Sequence, residues 1–117
     1  MRVKDDTINL VDLHPKLASI LSRIDRWWAD HAGYEMVITS ACDGRHGTYS
    51  RHYVGCAIDI RTWTSSGSGV QMNASRRDDL RAGLQRFLGS HFNVIDEGDH
   101  FHIGFKPTQP VKWGDLV

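Results

Sequence analysis

The 117-residue sequence contains only two cysteines and three prolines, and it has no excess of either charge. Two cysteines are too few for the disulfide framework of a small secreted domain. Fourteen basic residues balance fourteen acidic ones, and the two are interleaved, as in residues 75–81 (SRRDDLR). The sequence therefore lacks the clustered basic face that neutralises phosphates, and we expect no nucleic-acid partner.

Long apolar runs are also missing. No stretch approaches the roughly 20 apolar residues that cross a bilayer, and the N-terminal MRVKDDTINL lacks the apolar segment of a secretory signal. We therefore expect no membrane partner, synthesis as a cytoplasmic protein, and two reduced, mostly buried thiols at Cys42 and Cys56. The length suits one domain, residues 1–117, without room for a second module, and we expect a monomer.

Hydrophobic periodicity and turn residues predict the order of helices and strands. Pro15 suits a first helical position, Gly33 suits a helix end, and Ser75 with Asp78 resembles a capping box. The predicted elements are helices 14–33 and 75–89 and strands 34–39, 56–61, 91–95 and 100–105. This order predicts an α+β domain, with a small antiparallel sheet of about four strands and two main helices packed on one side.

Some details of packing also follow from the pattern. Trp27 and Trp28 are expected to be one core anchor and one half-exposed neighbour. The second helix is expected to bury Leu80, Leu84, Phe87 and Leu88. The Ser/Gly-rich segment 64–75 has two open interpretations, the rim or lid of an active site and a tolerated surface insertion.

The strand at 56–61 carries a carboxylate in an unusual place. Alternation puts Asp59 on the face opposite Ile58 and Ile60. Because an unpaired buried carboxylate is very costly, Asp59 must lie on a solvated face or have a positive partner, and a metal ion is one such partner.

The strand at 100–105 places His100 and His102 together on one face. If the two strands are neighbours with their polar faces together, Asp59, His102 and a His52 just before the first strand could converge on one ion. Two imidazoles, one carboxylate and a water form the open four-coordinate site of a catalytic zinc ion, Zn2+.

Two motifs resemble a known family. Ser50, His52, Gly55, Ala57 and Asp59 reproduce the SxHxxGxAxD pattern of the D-alanyl-D-alanine carboxypeptidase and dipeptidase group of zinc peptidases. That group includes phage L-alanyl-D-glutamate endolysins and shares its metal-site fold with hedgehog domains. The family's second motif, an acid three residues before the last zinc-binding histidine, is matched by residues 99–102 (DHFH).

The resemblance implies a hedgehog/DD-peptidase-like fold and an endolysin-like zinc metallopeptidase that hydrolyses peptidoglycan stem peptides. Both L-Ala-D-Glu endopeptidase and D-Ala carboxypeptidase specificities remain open. The length leaves no room for a separate cell-wall-binding domain. Such an enzyme, made without a signal peptide, would act on the cell wall after release, for example by lysis.

The resemblance also implies metal ligands and a general base. Zinc held by His52, Asp59 and His102 would lower the pKa of bound water from about 15.7 towards about 7. Asp99 is the implied general base, provided that the chain turns or bulges there, and otherwise Glu97 is the better base. An alternative assignment makes His100 the ligand in place of His102.

The remaining implied roles concern the substrate. Arg45 is the candidate for stabilising the oxyanion, with Arg51 as its substitute. Ser50 and His100 are expected to contact the substrate, and His46 is expected to be a solvated or substrate-contacting residue rather than a ligand.

Three other classes remain open. The first is a zinc-binding module of the same fold without peptidase activity, although the candidate base is present. The second is a non-haem iron oxygenase, because two histidines and a carboxylate also suit Fe(II), but the chain is short for the jelly roll on which such sites usually lie. The third is a structural protein in which both motifs are accidental.

Overall fold

A computed structural model describes residues 1–10, 13–41 and 57–105. These residues form three helices and five strands, and no helix among them is long and apolar enough to cross a membrane. The strands are β1 (Arg2–Val3), β2 (Val37–Ser40), β3 (Ala57–Arg61), β4 (Phe92–Asp96) and β5 (His100–Phe105), and the helices are α1 (Pro15–Ala18), α2 (Leu21–Ala32) and α3 (Ala74–Leu88).

The strands form one mixed sheet in the order β1-β2-β3-β5-β4. β1 is parallel to β2, and the other neighbours are antiparallel. The α+β class is confirmed, but the sheet has one strand more than predicted and is not purely antiparallel. β1 is only two residues long, too short for an alternating pattern. It is identified by tertiary pairing, since Arg2 N–H donates to Met36 O and Lys4 N–H to Ile38 O, both at 2.9 Å.

The helix predicted at 14–33 is interrupted between α1 and α2. Pro15 does open α1, and Gly33, with a φ of 89°, ends α2 by donating its N–H to Ala29 O. Between them, Ile20 N–H donates to Leu17 O, a three-residue spacing that leaves the α-helical pattern. The Ser19 hydroxyl also donates to the Lys16 carbonyl at 3.0 Å, a local bond of the kind that competes with helix continuation.

Helix α3 begins earlier than predicted. Asn73 is the N-cap, and its side-chain oxygen accepts from Arg76 N–H at 2.8 Å, so the predicted capping box at Ser75 is wrong. Both residue types are good caps, and sequence pattern alone did not separate them. Phe87 was also expected to be buried, but it is 39% exposed. Its ring centre lies 6.2 Å from that of Trp27.

The hydrophobic core lies between the helices and one face of the sheet. Both tryptophans are buried, so the expectation of a half-exposed partner is wrong: Trp27 is 9% exposed and Trp28 is 0% exposed. The Trp28 ring meets Phe101 edge-on at 5.8 Å. Ile58 and Ile60 of β3 and Ile103 of β5 are also fully buried, and Phe105 of β5 is 8% exposed. Alternation therefore directs the intervening residues of these strands to the opposite face of the sheet.

Candidate metal centre

Asp59 and His102 lie side by side on the polar face of the sheet. They are register partners in the antiparallel ladder of β3 and β5, and their side chains are 16% and 17% exposed. Asp59 Oδ1 is 3.2 Å from His102 Nδ1. The alternation predicted a polar face on each strand, and the pairing of the two strands, which was a condition of the predicted site, is observed in the structure.

The second oxygen of Asp59 faces another imidazole. His100 pairs in register with Arg61, one step along the same face from Asp59. Its Nε2 is 3.6 Å from Asp59 Oδ2, while its Nδ1 is 2.5 Å from Asp99 Oδ1. One carboxylate, Asp59, therefore has an imidazole near each of its oxygens.

Asp99 lies in the turn that joins β4 to β5. Strand β5 begins at His100, so Asp99 is outside the strand alternation, as its predicted role requires. The turn is closed by Glu97 N–H donating to His100 O at 3.0 Å, and Gly98 occupies it with a φ of 96°, a conformation that favours glycine. The Asp99 side chain is 76% exposed and contacts His100. Whether Asp99 or Glu97 is a base stays a prediction.

Asp96, in the same region, forms an ion pair with a helix. Arg77 on α3 donates its Nε–H to both oxygens of Asp96, at 3.1 and 3.3 Å, and Gly98 N–H donates to Asp96 Oδ1 at 2.9 Å. Both side chains of the ion pair are largely buried. Asp96 therefore anchors the turn to α3.

Donor type and spacing at Asp59 suit zinc. Two ligand atoms bound at about 2.1 Å in a tetrahedral arrangement lie about 3.4 Å apart. The two oxygen–nitrogen separations at Asp59, 3.2 Å to His102 and 3.6 Å to His100, lie on either side of that value. Carboxylate oxygen and imidazole nitrogen are both common zinc ligands. Either histidine can thus be the partner of Asp59, and the choice between them stays open.

The described part of the chain does not contain a complete ligand set. Among residues 1–10, 13–41 and 57–105, no group of three or more His, Cys, Asp or Glu side chains is arranged to hold a metal ion. The predicted ligand His52 lies outside these residues. So do the other sequence-predicted positions of that segment, which are Cys42, Arg45, His46, Ser50, Arg51, Gly55 and Cys56.

A hairpin borders the site and lies in the Ser/Gly-rich segment, for which the rim or lid of an active site was one of two open interpretations. Within the Ser/Gly-rich segment, Trp63 and Gln71 form a β-bridge, and Met72 N–H donates to Thr62 O at 3.0 Å. The Gln71 side chain donates its Nε2–H to the Asp99 carbonyl at 2.7 Å. Neither composition nor period distinguishes this glutamine, so nothing in the local sequence indicated the contact.

The start of the hairpin is fixed by two aromatic residues. The Arg61 guanidinium lies 3.8 Å from the centre of the Trp63 ring, a cation–π contact. The Tyr34 hydroxyl donates to the Trp63 carbonyl at 2.5 Å, and burial raises the pKa of this hydroxyl. The hairpin is thus connected to β3 and to the segment before β2.

Comparisons of the chain with protein-family models, with curated proteins and with solved structures found no match. Evidence on function from the structure therefore comes from the geometry of the described residues alone.

Proposed function

We propose that the protein is a zinc-dependent peptidase that hydrolyses peptide bonds in peptidoglycan stem peptides, as an L-Ala-D-Glu endopeptidase or a D-Ala carboxypeptidase. The observation that carries the proposal is the register of β3 and β5, which brings Asp59 within 3.2 Å of His102. A carboxylate and an imidazole at this separation suit two of the three protein ligands of an open zinc site. The substrate class rests on the resemblance of the two motifs alone.

In the proposed centre, His52, Asp59 and His102 hold the metal. Bound zinc supplies a Lewis acid and makes hydroxide available near neutral pH. His100 lies beside this ligand, with its Nε2 3.6 Å from Asp59 Oδ2. In this arrangement the substrate peptide would lie on the polar face of the sheet, opposite the helices.

Asp99 is the proposed general base. Its carboxylate takes a proton from the attacking water and then gives it to the leaving amine nitrogen. His100 supports this role, because its Nδ1–H can donate to Asp99 Oδ1 and so direct the carboxylate towards the ligands. Arg45, or Arg51 in its place, would donate to the oxygen on which negative charge develops, and Ser50 would contact the substrate backbone.

The finer fold is proposed to be that of the hedgehog and D-alanyl-D-alanine peptidase group. Its support is the arrangement of helices on one face of a small sheet and candidate ligands on the other. We propose that the enzyme reaches peptidoglycan after its release from the cell.

Metal content and digestion of purified peptidoglycan, measured side by side, test the proposal. The proteins to compare are the wild type, Asp99→Ala, and Asp79→Ala as an exposed carboxylate control on α3. We expect about one zinc per chain in all three. Products should be released by the wild type and the control, and at least about 100-fold more slowly by Asp99→Ala.

Other outcomes point elsewhere. Absence of bound zinc from the wild type after incubation with the metal would overturn the proposal. Bound zinc without products, across several wall types, would favour the zinc-binding module that lacks peptidase activity. Retained activity in Asp99→Ala together with its loss in Glu97→Gln would assign the base to Glu97.

A further inference from the structure

Two hydrogen bonds of the Gln71 side chain connect Thr62, at the end of β3, to the turn that carries Asp99. Thr62 follows β3 directly and is fully buried, and its hydroxyl donates to Gln71 Oε1 at 2.6 Å. The other end of the same amide, Gln71 Nε2, donates to the Asp99 carbonyl at 2.7 Å. Both polar atoms of the Gln71 side chain are therefore used, one on each side.

The base of the hairpin holds Gln71 in place for this contact. The Trp63–Gln71 bridge and the hydrogen bond from Met72 N–H to Thr62 O align the two ends of the hairpin. Thr64 N–H also donates to Val70 O at 2.7 Å. A side chain that extends from a paired backbone loses less freedom when it forms a hydrogen bond than one on an irregular loop. The hairpin is thus suited to support the neighbouring turn.

The position of the Asp99 carboxylate depends on its backbone. The side chain is short and 76% exposed, and within the part of the chain that the structure describes it contacts His100. Movement of the Asp99 peptide would change the distance from Asp99 Oδ1 to His100 Nδ1, which is now 2.5 Å. Displacements of about 1 Å can reduce catalysis by about 100-fold.

We propose that Gln71 is a positioning residue, which fixes the peptide of Asp99 and thereby the general base. The inference rests on the proposed peptidase function and deepens it. It assigns the Ser/Gly-rich segment a role as a support for the site and distinguishes Gln71 from the exposed residues at the tip of the hairpin.

Gln85 provides a matched control. Its side-chain amide likewise forms two hydrogen bonds to other elements, in this case from helix α3 to strand β4, donating to Phe92 O at 2.9 Å and accepting from Val94 N–H at 2.9 Å. These contacts lie at the end of β4 remote from the turn that carries Asp99. Replacing either glutamine with glutamate removes amide N–H donors at nearly constant size.

The kinetic test uses the zinc-loaded full chain and peptidoglycan hydrolysis. We expect Gln71→Glu to lower kcat by about 10-fold to 100-fold, with KM and zinc content little changed. Gln85→Glu should leave kcat close to that of the wild type. Because Gln71 acts through Asp99, Gln71→Glu should cause no further loss of residual activity in an Asp99→Ala background.

Three results would overturn the inference: equal kcat losses in both glutamine variants, a loss that appears only in KM, or an undiminished loss in the Asp99→Ala background. Amide hydrogen exchange separates this failure from that of the peptidase. The Glu97 and Gly98 amides, which are hydrogen-bonded within the turn, should exchange faster in Gln71→Glu than in Gln85→Glu. Faster exchange with an inactive wild type rejects the peptidase alone, whereas unchanged exchange rejects the positioning by Gln71.

Discussion

The two faces of strands β3 and β5 differ although they are built from alternate residues of the same strands. On one face, Ile58, Phe101 and Ile103 are fully buried against the helices. On the other, Asp59 and His102 meet as partly exposed polar partners. One register thus creates both the core and the candidate site, because a shift by one residue would exchange the two faces.

The residues that stabilise the fold and the residues of the candidate site therefore differ, although they lie in the same two strands. A substitution on the apolar face removes buried apolar surface. A substitution on the polar face removes oxygen or nitrogen atoms that are candidate metal ligands. Three measurements test this separation: the first compares one residue from each face, and the other two concern the polar face.

The largest effect is expected on the apolar face. Phe101→Ala should lower the free energy of unfolding by about 3–5 kcal/mol, since it leaves a cavity beside Trp28. His100→Ala, at the neighbouring position on the polar face, should change it by about 1 kcal/mol or less. Urea unfolding with a chelator present measures both, and similar losses from the two variants would contradict the separation.

A smaller effect is expected from zinc on the polar face. On the proposed function, zinc at about 100 times its Kd should raise the free energy of unfolding by about 2.7 kcal/mol, because an ion that binds only the folded chain stabilises it. Asp59→Asn, which removes the charge of a proposed ligand, should lose most of this increment, and a chelator should abolish it in the wild type. Denaturant unfolding with and without zinc measures the increment, with Asp79→Asn as control. Equal stabilisation of Asp59→Asn would remove Asp59 from the ligand set.

The smallest effect is expected at the edge of the polar face. Arg61→Gln should lower the free energy of unfolding by about 0.5–1 kcal/mol, because it removes the cation next to the Trp63 ring. Arg61→Lys should retain part of that contribution. Urea unfolding is again the measurement. A loss as large as that of Phe101→Ala would show that the polar face contributes to stability as strongly as the core.

Strands were predictable from the sequence where a local period carried the information. The alternation around Asp59 and around His102 predicted both strands and their polar face. It could not predict β1, which has two residues and depends on pairing with β2. The cap at Asn73 was missed because Ser75 was an equally acceptable candidate.

The contacts of the candidate site were only partly predictable. The alternation limited which side chains could face one another, so Asp59 and His102 could be brought together once the strands were assumed to be neighbours. The approach of His100 to the second oxygen of Asp59 depends on side-chain conformations that no period encodes. The bond from Gln71 to the Asp99 carbonyl joins residues 28 positions apart through hairpin closure, which local sequence did not indicate.

The Asp59–His102 pair joins residues 43 positions apart, whereas β4 and β5 are joined by a tight turn. Closing the longer loop costs about 2 kcal/mol more chain entropy than closing the turn. We therefore expect the β4–β5 hairpin to form early during folding and β3 to dock on it later. The proposed metal ligands Asp59 and His102 would then come together only near the end of folding, and, on the proposed function, zinc uptake during refolding would report completion of the native topology.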